Sequence, residues 1–239
     1  MREQIHTIPV IDGLKNAEIC PFCAMKAKLE RDAIQFALGP SYMEDDVRME
    51  TNQTGFCPRH MEQMYAEQNR LGLGLMTHTH LQQLVKDCEI LLQGKSRSSL
   101  FGRDTTGPLA QLRTHLEKVN ASCYICNKVD NTFLRYIDTF LYLWAQKGEE
   151  AKLIAEIKGF CLPHFVDLLK AAEGMSKSKR DRFTEEIAMK QLKFMQELEG
   201  DVEWFTLKFD FRNKDEPWKN SKDALPRALN TLGAEGIKP

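Results

Sequence analysis

Two sets of thiols and imidazoles constrain this chain more than any other feature in it. Cys20-Pro21-Phe22-Cys23 is followed by Gly55-Phe56-Cys57-Pro58-Arg59-His60, and Cys123-Tyr124-Ile125-Cys126 by Gly159-Phe160-Cys161-Leu162-Pro163-His164. The spacers, residues 24–56 and 127–160, differ in length by a single position. Three soft sulfurs and one imidazole nitrogen form a closed tetrahedral zinc set. A lone C-x-x-C is weak evidence, but two copies of a four-donor set at matching spacing predict two Cys3His sites in a duplicated protein. Read along the chain, they are Cys20, Cys23, Cys57 and His60, then Cys123, Cys126, Cys161 and His164. Each metal is expected to staple the first helix of its half to the second. Zinc, two per chain, is the expected cofactor. An iron–sulfur cluster is the lesser alternative, because such clusters usually take four thiolates.

The bulk composition fits a soluble globular protein: of 239 residues, 42% are hydrophobic and 28% charged. A formal net charge of -1 provides no global attraction to nucleic acid or to anionic lipid. The apolar run 140–145 is far shorter than the roughly 20 residues that cross a bilayer. Residues 1–18 hold no apolar core of signal-peptide length, so the expected compartment is a reducing cytoplasm, where spaced cysteines serve as metal ligands rather than disulfides. Of seven cysteines only Cys88 falls outside the two sets, and its place on an apolar helical stripe predicts an inert core thiol.

Periodicity predicts an all-α fold, a duplicated helical bundle whose helix starts are joined at the zinc sites. The first repeat spans 1–93, a Gly- and Ser-rich linker 94–107, the second repeat 108–207, and a tail packing back on the bundle 208–239. Residues 1–19 read as an ordered strap broken by Pro9 and Gly13. A helix follows the first knuckle and stops at Gly39-Pro40. A short helix and loop cover 41–56. Cys57 precedes a new helix with Pro58 in its first turn, where proline is tolerated, so His60 shares a face with Cys57. That helix is expected to run to about Arg70, and the next from Leu73 to Leu92 with an apolar stripe of Leu75, Leu81, Leu84, Val85, Cys88, Leu91 and Leu92. The second half repeats the order with helices near 108–119, 127–145, 149–157 and after Gly159. A long helix over 179–207 and a short one near 222–232 complete it.

Tyr42, Glu44, Asp46, Arg48, Asn69, Arg70, His78 and His80 are polar residues of the first half with no counterpart in the second. They are candidates for a cleft that binds an anionic or polar small molecule. His78 and His80, two positions apart, point to different sides of a helix and are not a helical chelate. The basic run 177–182 reads as a solvated helix start. Redox use of Cys20-Pro21-Phe22-Cys23 would call for strand–helix alternation, which the flanking sequence does not have.

The paired C-x-x-C and G-F-C-x-x-H motifs are joined by Ser41-Tyr42-Met43-Glu44, by Asn69-Arg70-Leu71-Gly72-Leu73 with Thr77-His78-Thr79-His80, and by a tail of Phe209-Asp210-Phe211-Arg212, Glu216-Pro217-Trp218 and Asp223-Ala224-Leu225-Pro226-Arg227-Ala228. Together these resemble an uncharacterised family of bacterial, mainly Firmicutes, cytosolic proteins filed as a domain of unknown function. Some of its members are labelled ABC transporter substrate-binding proteins, and this sequence departs from that label by lacking an export signal or lipoprotein cysteine near its start. The resemblance implies the motif pattern and supplies no activity. The reading that follows is a cytosolic two-zinc helical binding or adaptor module, its partner a protein or small-molecule ligand rather than nucleic acid or membrane. The alternatives are an enzyme that uses the first-half polar cluster, with a histidine as acid or base, and a thiol- or zinc-based redox switch.

Overall fold

The computed structural model describes residues 5–17, 19–93, 107–146, 148–234 and 236–237. The predicted linker therefore lies, Gly107 apart, outside the described residues. In chain order the helices are α1 (Thr7–Lys15), α2 (Pro21–Leu38), α3 (Asp45–Thr54), α4 (Pro58–Ala66), α5 (Arg70–Leu92), α6 (Pro108–Asn120), α7 (Tyr124–Ala145), α8 (Glu149–Glu156), α9 (Leu162–Glu173), α10 (Lys177–Phe183), α11 (Met189–Leu207) and α12 (Ala224–Leu232). Among the described residues there is no strand, and the fold is all-α.

The chain divides into two compact units, one of residues 1–27 and 133–239, the other of residues 28–132. The first is built on aromatic packing. Phe22 meets Phe133, Phe140 and Phe160 at ring-centroid distances of 5.7, 5.1 and 5.8 Å, edge-on, tilted and stacked in turn, geometries that aromatic quadrupoles favour. Val10 and Leu14 of α1 are buried in this unit, and α1 packs on α8. The predicted strap is thus a helix. Gly13, read as a breaker, instead gives close approach: a Cβ there would lie 2.4 Å from the Met25 side chain.

The long C-terminal helix of the sequence reading starts at Lys177 and carries a π-helical turn, Thr184–Ala188. Trp144 docks at that turn. Its ring meets Phe183 edge-on at 5.7 Å, its Nε1 donates to Glu186 at 2.9 Å, and Arg182 donates to its carbonyl at 2.9 Å. A π turn adds a residue to the local repeat and re-aims side chains, here towards one tryptophan. Helix α12 lies against α9 and α11.

The second unit has an aliphatic core of Ala33, Ile34, Ala37, Leu38, Val47, Met64, Met76, Ile125 and Val129, with Phe56 and Tyr124 crossing at 6.3 Å. Helix α4 ends at Ala66, short of Arg70, because Asn69 caps the next helix: its Oδ1 accepts from Gly72 N at 2.9 Å. Helix α5 departs most from expectation. It buries only Gly72 and Met76, while Leu81, Val85 and Leu92 are exposed and Cys88 is half-buried. The stripe was read as core, but α3 and α6 cover other faces of this helix, so Cys88 is not the core thiol that its spacing implied.

Candidate metal centres

The local backbone of each C-x-x-H turn is dictated by its sequence. Cys57 and Cys161 are extended residues just before α4 and α9, with φ/ψ of -74/159° and -70/154°, and proline occupies the first turn that follows each. Their carbonyls accept the first helical bonds, from Met61 N and Phe165 N, both at 2.9 Å. The histidine three residues on therefore points back over the same helix start. The invariant spacing of the preceding glycine has two different physical reasons. Gly55 has φ of 58°, and a Cβ there would sit 2.6 Å from the His80 ring; Gly159 has the Phe194 ring 2.3 Å from its would-be Cβ.

Each turn is also pinned from outside. In the first unit the buried Gln191 amide accepts from Phe160 N at 2.8 Å and donates to Phe160 O at 2.9 Å. In the second, Tyr124 N donates to Gly55 O at 3.0 Å and Ser122 Oγ to Thr54 O at 2.7 Å, which ties the turn to the second knuckle.

All eight predicted ligands fall into two groups, each with its donor atoms within 4.8 Å of one another. The pairing, however, is crossed. Cys20 and Cys23 join Cys161 and His164 in the first unit, and Cys57 and His60 join Cys123 and Cys126 in the second. The expectation that each knuckle pairs with the C-x-x-H that follows it is corrected: the partners are set by packing, since Phe22 lies against Phe160 and Tyr124 against Phe56.

The spacing within the groups suits one small ion. A tetrahedral zinc with about 2.3 Å to sulfur and about 2.0 Å to nitrogen sets its donors about 3.5–3.8 Å apart. The Cys23 and Cys161 sulfurs are 3.5 Å apart, and those of Cys57 and Cys126 are 3.9 Å apart. His164 Nδ1 lies 3.1, 3.5 and 3.6 Å from the sulfurs of Cys161, Cys23 and Cys20. His60 Nδ1 lies 3.2, 3.3 and 3.4 Å from those of Cys57, Cys123 and Cys126. Two Cys3His clusters that can hold a metal ion are thus in place.

The surroundings differ. His60 Nε2 donates to Glu30 at 2.8 Å, and the same carboxylate takes Arg59 at 2.5 Å and Gln63 at 3.3 Å. A carboxylate behind a ligating imidazole fixes its tautomer and raises its basicity. For His164 the ring neighbours are Phe133 and Phe22, at 5.0 and 6.1 Å.

Protonation follows the crowding. Burial disfavours a charged His60, but the Cys123 sulfur and Glu30 outweigh it and push the imidazole up to about 9. His164 is likewise pushed up to about 9, against burial, by Cys161 and Cys20. Burial raises Cys123, yet the imidazole of His60 and nearby backbone N–H groups bring it down to about 6, while burial and the Cys123 charge push Cys126 up to about 12. In the first unit contacts from Cys20 and Cys23 hold Cys161 far below an ordinary thiol, and Cys161 in turn holds the proton on Cys23. Three sulfurs this close cannot all ionise unless a cation joins them.

The first-half polar residues do not converge on one cleft. Arg48 donates to the carbonyls of Tyr42 at 3.4 Å and Leu75 at 3.2 Å and to Thr79 Oγ1 at 2.8 Å, and Thr79 in turn donates to Asn52 at 2.6 Å. His80 Nδ1 donates to Asn52 O at 2.8 Å, and Asn69 Nδ2 to Leu38 O at 2.6 Å. The bonds from Arg48 to Leu75 and Thr79, and from Thr79 and His80 to Asn52, tie α3 to α5, and that of Asn69 ties the start of α5 to the end of α2. Glu44, Asp46 and His78 are exposed, and Arg70 stacks over the Tyr65 ring at 3.6 Å. In the basic run Lys177 pairs with Asp181 at 2.7 Å, Arg182 pairs with Glu186 beyond the run at 2.9 Å, and Arg180 donates to the carbonyls of Glu173 and Met175. Glu30 and Gln191 were not singled out from the sequence; neither stands at a ligand-like spacing, and only the fold brings them to the sites.

No curated protein matches the chain, and no solved structure does. No helix among the described residues is long and apolar enough to cross a membrane. One family model, described as "Family of unknown function (DUF6062)", matches residues 1–238, and the chain belongs to that family.

Proposed function

We propose that each cluster holds one zinc ion, that the zinc is structural, and that the protein is a cytoplasmic binding or adaptor module. The observation that carries this is the closed donor set, three sulfurs and one Nδ1 within 4.8 Å on two helix starts. Four protein donors leave no position for water or substrate, which is the mark of structural rather than catalytic zinc. Sulfur separations of 3.5 and 3.9 Å suit a single ion. A four-iron cluster would hold its ligands around a much larger body.

The surface of the second unit supports a binding role. Leu81 and Val85 on α5, and Leu109 and Leu116 on α6, are exposed apolar side chains on shallow helix faces. Shallow apolar faces rimmed by charge are the form of a protein-docking surface. The enzymatic alternative draws less support, since Arg48, Asn69 and His80 spend their hydrogen bonds on helix packing.

Elemental analysis of the chain purified without added metal tests the zinc reading. About two zinc per chain, with no visible absorption, is the expected result; iron with charge-transfer bands would overturn it. Photo-crosslinkers at Val85 and Leu116 test the adaptor reading. A discrete protein adduct from cells at those positions, and none at Glu44, is expected. Turnover or saturable binding of a small molecule, lost in Arg48→Ala, would favour the enzyme instead.

A further inference from the structure

The two metal sites differ in what solvent can reach. Of the eight ligands only Cys23 is exposed; Cys20, Cys161 and His164 around it are buried, whereas Cys57 and Cys126 are half-buried and His60 and Cys123 buried. Phe22 and Met25 are the inward-facing residues of the first turns of α2, at 0% and 3% exposure, and Cys23 lies one position beyond Phe22, turned about 100° away from it. The inner residues of both knuckles, Pro21 and Phe22 in one and Tyr124 and Ile125 in the other, are buried; beside them Cys126 is half-buried where Cys23 is exposed, and Lys128 lies over the Tyr124 ring at 5.2 Å. The second site also has Glu30 locking its imidazole, while His164 of the first rests against phenyl rings.

We infer that Cys23 makes the first site a thiol-modification site, attacked by peroxide-class oxidants and electrophiles, while the second site keeps its ion. This rests on the zinc reading above and specifies which ion is labile. The Cys23 sulfur attacks the peroxide: an S–O bond forms, the O–O bond breaks, and hydroxide leaves, giving a sulfenic acid. The Cys161 sulfur, 3.5 Å away, then attacks the Cys23 sulfur and expels a second hydroxide. Two thiolates have lost two electrons to form one disulfide, and the two hydroxides take up protons as water. With two of its four donors consumed, the first site no longer retains an ion. In the zinc-loaded chain all six ligating cysteines are thiolates, so exposure decides which of them reacts, and Cys23 alone among the ligands is exposed.

The test uses the full-length, zinc-loaded wild-type chain, whose zinc content is measured first. It is then treated with one equivalent of hydrogen peroxide, and released zinc is followed with a chromogenic chelator. Oxidised peptides are mapped by mass spectrometry, with Cys88 counted separately. The expected outcome is one zinc released at least about tenfold faster than the other, with the disulfide confined to Cys20, Cys23 and Cys161. In parallel, N-ethylmaleimide should label Cys23 before any other ligand. Release of both ions at one rate, or first modification at Cys57, Cys123 or Cys126, overturns the inference. A chain found to hold no zinc before the oxidant is added fails the zinc reading itself, and the inference with it.

Discussion

At the residue scale the second site is decided by one carboxylate. Glu30 accepts from His60 Nε2 and gathers Arg59 and Gln63, so it holds the ring with Nδ1 towards the sulfurs. Glu30→Gln preserves shape but replaces a charged acceptor with a neutral one. Zinc affinity at this site is expected to fall roughly 10- to 100-fold, with the first site unchanged; chelator competition on the full chain would show one weakened ion of two. The same residues set a pH dependence. Without metal, His60 is protonated below about 9 and Cys126 below about 12, while Cys123 is ionised above about 6. Zinc takes neutral imidazole and thiolate, so binding near neutrality expels at least the His60 and Cys126 protons. Affinity at this site should therefore rise by at least about 100-fold per pH unit near pH 7 and less steeply above 9, where His60 has already lost its proton. Calorimetric titration in two buffers of different ionisation enthalpy would count the protons, and a value below two would contradict the assignment. The ligands themselves were legible in the sequence because thiol and imidazole chemistry leaves few other uses for such spacing. Glu30 was not, because a glutamate on a charged helix face carries no mark of the ring it will meet.

At the element scale the helices were largely legible, since caps and breakers act within a few residues. Gly39-Pro40 ends α2 and Cys57-Pro58 begins α4 as local rules require. The misreadings came from packing. The strap is a helix, α1, that buries Val10, Gly13 and Leu14, and Gly13 serves close packing rather than a break, since the Met25 side chain fills the space it leaves. The α5 stripe has the period of a core helix, but period reports one apolar face and cannot say whether anything covers it. The C-terminal tail depends on a single buried cation at the end of α11. Lys208 is 7% exposed, and its Nζ donates to the carbonyls of Asn213, Lys214 and Glu216, with the Trp218 ring 5.3 Å away. Lys208→Met keeps the aliphatic stem and leaves three carbonyls without their donor. The expected loss is about 2–3 kcal/mol, together with rapid limited proteolysis between residues 209 and 217 while α1 to α10 stay protected. Unchanged proteolysis would show that the bond from Trp204 Nε1 to Pro217 O, at 2.9 Å, and the Phe205–Trp218 ring contact, at 6.1 Å, suffice.

At the scale of the whole molecule, the crossed pairing is the feature that sequence order hides. A knuckle and the C-x-x-H motif that follows it look like partners because they are near in the chain, but loop closure costs only slowly more as the loop lengthens. Cys23 and Cys161, separated by 138 positions, are therefore not at a prohibitive disadvantage, and aromatic packing around Phe22 decides the matter. The consequence is that neither sequence repeat contains a complete native site, while residues 28–132 contain one complete set together with Glu30 and an aliphatic core. A fragment of residues 28–132 is expected to fold on adding one equivalent of zinc, with helical circular dichroism that collapses on chelation, because binding energy in such small metal domains is folding energy. A fragment of residues 1–93 carries the same number of thiols and imidazoles from the two motifs in its sequence order. It should bind zinc far more weakly and stay largely unfolded, since Cys20 and Cys23 lack Phe133, Phe160 and Cys161 around them. Tight one-to-one zinc binding by residues 1–93, with helicity matching that of the 28–132 fragment, would restore the sequential pairing and overturn the crossed one.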